Sequence, residues 1–237
     1  MRRVLGFLFG VMRLAARPLA RLDSLTMKLR AAPLWGSLVL GRSIHPTVRC
    51  NGPEFVKLGE QITISYHVVF EVGADRTGHS RQPLIEIADQ SSIGANTVFC
   101  AHGAPIRVGE NTHIHTSCHF GAYGKGIIIG RDCLIASHCS MVDTQHVFKN
   151  SDVPIIEQGF TSKGIVIKDD VWLGAGVILV DGVTVGQGAV IGAGSVVTKD
   201  IPPGAIAVGA PARVMRYRSD DMAEAPLEIL ECTPTRL

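Results

Sequence analysis

The sequence predicts an all-β solenoid, a stack of triangular coils carrying an N-terminal helical arm and a short C-terminal tail. Three observations predict it. A six-residue period runs through the middle of the chain. Glycine is abundant (26 of 237 residues) while aromatics make up only 5%, a mix suited to short strands joined by tight turns. The length allows one ordinary domain plus a small appendage.

The period is plainest from Ile167, where the chain divides into IKDDVW, LGAGVI, LVDGVT, VGQGAV, IGAGSV and VTKDIP. Each unit opens on an aliphatic residue, and its fifth position is Val, Ala, Ser or Ile. The same frame recurs upstream from Leu58, Ile64, Ile87, Ile93, Val108, Ile114, Ile129, Ile135 and Met141. A helix would repeat every 3.6 residues and an ordinary strand every two, so six marks one short strand plus a turn. Three such units close a triangle, and triangles stack about 4.8 Å apart through parallel backbone hydrogen bonds. No coil buries its own face, so several must stack. Cys118, Cys133 and Cys139 fall at position five and read as small buried filler. Without CxxC pairs, the six cysteines (50, 100, 118, 133, 139, 232) suggest no metal site.

Charge is uneven. Residues 1–30 hold seven Lys/Arg and one Asp, whereas the remaining 207 hold 16 basic and 20 acidic groups. The mildly acidic body argues against nucleic acid as a partner. At 100° per residue Arg2, Arg3, Arg13, Arg17, Arg21 and Lys28 share an arc of about 100° on a helical arm that Pro18 should kink. Such an arm either lies on an anionic membrane or packs on the base of the assembly with its charges in water. The uncharged run VLGFLFGVM is too short to span a bilayer and lacks a clear cleavage site, so the expectation is a cytoplasmic protein, with peripheral contact at the inner membrane face if the arm binds lipid. The expected boundaries are an arm over 1–43, the coil over 44–208 and a tail over 209–237.

Three stretches break the period: 73–84 (GADRTGHSRQPL), 102–107 (HGAPIR) and, longest, 147–166, an excursion between the units ending at His146 and starting at Ile167. Excursions from a solenoid often bind ligands. Pro154 and the pair Ile155–Ile156 suggest that this one packs against something.

The ordered motifs DTQHVF, DVPIIEQG, VIKDDVWLGAGVIL and VIGAGSVVTKDIPPGAIAVGAPARVMR, spanning Met141 to Arg216, resemble the hexapeptide-repeat acyltransferases. They are most similar to the sugar O-acetyltransferases of the maltose, galactoside and nodulation-factor type and to the related polysaccharide and lipopolysaccharide enzymes. The resemblance implies a left-handed coil, against the right hand that general crossover rules favour. It also implies a homotrimer, acetyl-CoA as donor and a saccharide hydroxyl as acceptor, in a polysaccharide, lipopolysaccharide or glycolipid precursor. The first forty residues depart from the short helical cap of the free-sugar enzymes.

The resemblance makes His146 the base that takes a proton from the acceptor hydroxyl, and imidazole suits that task near neutral pH. Asp143 is expected to orient its ring, and a backbone N–H to stabilise the oxyanion. Ala175 and Ala193 match small positions along the pantetheine groove between subunits. Thr198, Lys199, Arg213 and Arg216 are expected to hold the coenzyme A phosphates. Trp172 and His119 are expected to line the acceptor side, and no metal is expected.

Two rivals share the coil. A γ-type carbonic anhydrase would need an H-x4-H pair, and no two histidines here have that spacing. A non-catalytic scaffold would leave the long loop and His146 without a purpose. N-acetylation of an amino sugar is a variant of the same chemistry.

Overall fold

The computed structural model describes residues 41–73 and 84–223. The proposed basic arm lies outside these residues, as does most of the 73–84 break. Among the described residues no helix is long and apolar enough to cross a membrane.

Short strands follow one another around three flat faces, here called A, B and C, and each pairs in parallel with the strand one coil earlier and one coil later. One circuit runs through Leu134–Ile135 on face A, Ser140–Val142 on face B and Ile165–Ile167 on face C, then returns to face A at Trp172–Leu173. The parallel pairing begins at Ser43–Ile44 and continues to Ala205–Val208.

The six-residue pattern is the cross-section of this prism. Position-one residues Ile167, Leu173, Leu179, Val185, Ile191 and Val197 are buried, and so are the fifth-position residues Val171, Val177, Val183, Ala189, Ser195 and Ile201. In the units from Ile167 to Ile191, position four turns the corner in the left-handed backbone region. Gly176 sits there at φ 69°, and Asn111, Asp132, His138 and Asp170 occupy the matching corners. Short polar side chains tolerate that region better than most residues do, which explains a second glycine in the downstream units.

The polar fifth positions are satisfied. Thr112 Oγ1 donates to the Gly130 carbonyl at 2.8 Å and Thr97 Oγ1 to that of His115 at 3.0 Å. The cysteines mimic them: Cys118 Sγ reaches the Ala136 carbonyl at 3.2 Å, Cys133 Sγ that of Lys168 at 3.2 Å and Cys139 Sγ that of Gly174 at 3.3 Å. Burial pushes the Cys133 thiol up from its ordinary value, in keeping with inert filler. Behind face B, Phe70, Phe99 and Phe120 stack at centroid separations of 5.3 and 4.8 Å, one ring per coil.

Two boundaries differ from the sequence reading. The 102–107 break is shorter, because Ile106 is buried in the strand Ile106–Val108. MVDTQH is not a coil unit: Met141 is buried, but Gln145 at its fifth position is exposed and pairs with Thr161. The chain has already left the prism there, and it rejoins at Ile165.

Candidate active site

The departure takes place at the corner between faces B and C, and a buried aspartate roots it. Asp143 has no exposed surface. Its Oδ1 accepts the backbone N–H of Tyr123 at 2.7 Å; its Oδ2 accepts those of Gly124 at 3.1 Å and Gly126 at 2.6 Å, with Ser162 Oγ at 3.5 Å. The returning strand is fixed nearby. Ser162 Oγ accepts the Lys125 N–H at 2.8 Å, and Asp181 accepts those of Lys163 and Gly164. Asp200 accepts the Thr184 N–H at 2.7 Å. Asp143, Asp181 and Asp200 are thus repeated clamps, each binding amides of an earlier coil at this corner. The V-D pairs at 142–143 and 180–181 carry that signal in the sequence, and the reading of repeats passed over it.

Between these roots the chain forms a hairpin. Gln145–His146 pairs antiparallel with Phe160–Thr161, placing His146 opposite Phe160, and the Val147 N–H donates to the Gly159 carbonyl at 3.0 Å. Farther out, the Gln158 side chain accepts from the Asn150 N–H and donates to the Asn150 and Val153 carbonyls. The excursion is therefore a braced arm. Phe148, Ile155 and Ile156 stand exposed on it, Ile156 at 84%; none of them is buried among the described residues.

His146 is exposed on this hairpin, and no hydrogen bond joins its imidazole to Asp143. The expected contact between Asp143 and the imidazole is thus not made within the described residues. Both carboxylate oxygens are occupied by backbone donors, so Asp143 positions the strand that carries His146 and leaves the ring itself alone. His119 is half-buried on the outer side of face B, in register with Ser140 and Val98.

The other expected site residues lie elsewhere. Trp172, 52% exposed, stands on face A between Leu134 and Val190. Ala175 and Ala193 stack at the A–B corner, where the Gly194 N–H donates to the Ala175 carbonyl at 2.8 Å. A Cβ on Gly174 would come within 2.6 Å of the Ala193 nitrogen, so this edge is as close-packed as backbone allows. Thr198 and Lys199 are exposed just after the last face-B strand. Arg213 and Arg216 lie on Arg213–Tyr217, an antiparallel strand closing face A. An irregularity between Ile206 and Ala207 sets Arg216 opposite Ile206 and Arg213 opposite Val208, so both arginines sit opposite outward-facing residues. In one chain, then, His146 and His119 belong to face B and its corner with C, while Trp172, the alanines and the arginine pair belong to face A and its corner with B.

Known proteins share this arrangement of sequence. The family profile "Bacterial transferase hexapeptide (six repeats)" matches residues 164–199. Galactoside O-acetyltransferase of Escherichia coli K12 is 36% identical over 131 residues, 48% of this chain and 64% of that protein. The putative lipopolysaccharide biosynthesis O-acetyl transferase WbbJ of the same strain is 34% identical over 146 residues, 50% of this chain and 74% of that protein. Among solved structures, a maltose O-acetyltransferase from Clostridium difficile 630 superposes with a TM-score of 0.52 at 35% identity, covering 56% of this chain and 70% of that one. The chain spans 44 to 64% of the length of three curated relatives it matches, galactoside O-acetyltransferase among them. The repeated coil, the inward-facing first and fifth positions and these likenesses agree: the chain belongs to the hexapeptide-repeat transferases, the family of the left-handed parallel β-helix.

Proposed function

We propose that the protein is an acetyl-CoA-dependent O-acetyltransferase acting on a saccharide hydroxyl, with His146 as general base. One observation carries this reading: an exposed histidine whose imidazole has no hydrogen-bonding partner among the described residues, held on a hairpin whose roots are clamped to the coil. Galactoside O-acetyltransferase and a putative lipopolysaccharide O-acetyl transferase are among the relatives of this chain, which supports the reading. Acetyl-CoA supplies the activated acyl carbon. His146 takes the hydroxyl proton as the acceptor oxygen attacks, and returns it to the departing thiolate as the C–S bond breaks, so the imidazole ends neutral.

The donor-side residues fit the same reading. Ala175 and Ala193 offer a close-packed edge for the pantetheine arm, with Arg213, Arg216, Lys199 and Thr198 at the last coils for the phosphates. Trp172 and His119 are assigned to the acceptor side. Because His146 and the face-A residues lie on different parts of one prism, a site using both draws on two copies. We therefore assign a homotrimer, the closed assembly that the family resemblance implies. Size measurement should give a mass near three times the 25.3 kDa chain; an active monomer would contradict a shared site.

The activity is tested by offering acetyl-CoA with hydroxyl and amino sugars, free and lipid-linked. Ester formation on a hydroxyl is expected. Acetylation confined to amines would replace the reading by N-transfer, and no transfer to any saccharide would end it.

A further inference from the structure

A second cluster of functional groups lies below the hairpin on the same side of the prism. Glu71, Cys100 and Gly121 occupy register-matched outward positions on three successive face-B strands. Cys100 Sγ donates to Glu71 Oε2 at 3.7 Å, and His102 Nε2 faces Glu71 Oε1 at 3.7 Å. The His102 ring stacks on that of Tyr123, with centroids 5.4 Å apart and planes 30° from parallel. Glycines clear the ground for these rings: a Cβ on Gly73 would come within 2.3 Å of His102 Nδ1, and one on Gly121 within 2.8 Å of Tyr123 Cε2.

The cluster is open to a ligand. Tyr123 is 38% exposed, and the His102 and Glu71 side chains 38% and 48%. It is not poised for covalent chemistry, since burial and then the Glu71 charge push the Cys100 thiol up and keep it protonated. What remains is an aromatic surface with a carboxylate and an imidazole at its rim. Aromatic faces take up the C–H face of a sugar ring, and the polar rim offers an acceptor and a donor for hydroxyls.

Position supplies the second argument. The Tyr123 N–H is bound by Asp143, the residue that roots the His146 hairpin, so cluster and base share one rigid support. With coils about 4.8 Å apart, the cluster runs from the coil just below the hairpin toward the N-terminal coils. The expected donor residues lie on the opposite, C-terminal side. An acceptor whose reacting sugar sits at His146 would send its neighbouring sugar over Tyr123, His102 and Glu71.

We infer that the Glu71–His102–Tyr123 surface is a subsite for a second saccharide unit, so that the acceptor is a glycan chain and not a single sugar. This rests on the saccharide O-acetyltransferase reading above. The test measures kcat/KM of the full chain for methyl glucoside, methyl galactoside, maltotriose and β-1,4-galactotriose. The wild type should prefer a trisaccharide over its monosaccharide by roughly ten- to hundredfold, the scale of one added charged hydrogen bond. Tyr123→Ala, Glu71→Gln and Gly121→Ala, which removes no group but crowds the Tyr123 ring, should each shrink that ratio toward one; Tyr123→Phe should retain most of it. Equal use of both lengths, or a preference the three variants leave intact, would overturn the subsite and leave O-acetylation standing. Absence of transfer both to these four sugars and to the lipid-linked sugars offered above would overturn the reading beneath it as well.

Discussion

Replacing Asp143 with alanine should lower stability by about 3–5 kcal/mol, because it strands a set of partly or fully buried N–H groups that now share one carboxylate. For a chain of this size that is a loss on the order of 10 °C in melting temperature. Acetyl transfer should fall too, since the strand bearing His146 would lose its anchor. Asp143→Asn sharpens the test, being nearly the same shape. Either orientation of its amide turns an NH2 toward backbone donors, to Tyr123 on one side or to Gly124 and Gly126 on the other. Asparagine should therefore recover little of the loss. If Asp143 instead served to orient the imidazole, both variants would melt like the wild type and lose only turnover. Thermal denaturation beside an activity assay separates the two outcomes.

The coil was legible in the sequence because its period is dictated by geometry: a first and a fifth residue that both point inward cannot vary much. The polar corner residues were less legible. Asn, Asp and His tolerate the left-handed region well enough to replace glycine, so the fourth position shows its rule only in the downstream units. The frame also ran too far at MVDTQH, because Met141 and Asp143 are both buried while the chain is already turning away. Burial of Asp143 by backbone donors is a tertiary fact, and a lone Asp beside a candidate base reads more naturally as its partner. The Glu71–His102–Tyr123 surface was hidden for a related reason. Its members are far apart in sequence and meet only because successive coils stack in register.

His146→Ala tests the central claim most directly. His146 is exposed, contributes nothing to the buried core and sits on a hairpin held by other residues, so the melting temperature should stay within about 1–2 °C of the wild type. Acetyl-CoA affinity should also persist, because Ala175, Ala193, Arg213 and Arg216, assigned to the donor, lie on face A or its corner with B, and Thr198 and Lys199 lie in a later coil. Turnover is another matter. Loss of one positioned base costs roughly 10²–10⁴-fold, equivalent to about 3–5 kcal/mol of barrier. The decisive measurement is acetyl transfer by this variant, with donor binding and melting temperature determined on the same sample. Intact binding and folding with transfer lowered at least a hundredfold is the expected result; near-normal transfer would contradict the assignment and make His146 an ordinary residue at the start of a hairpin.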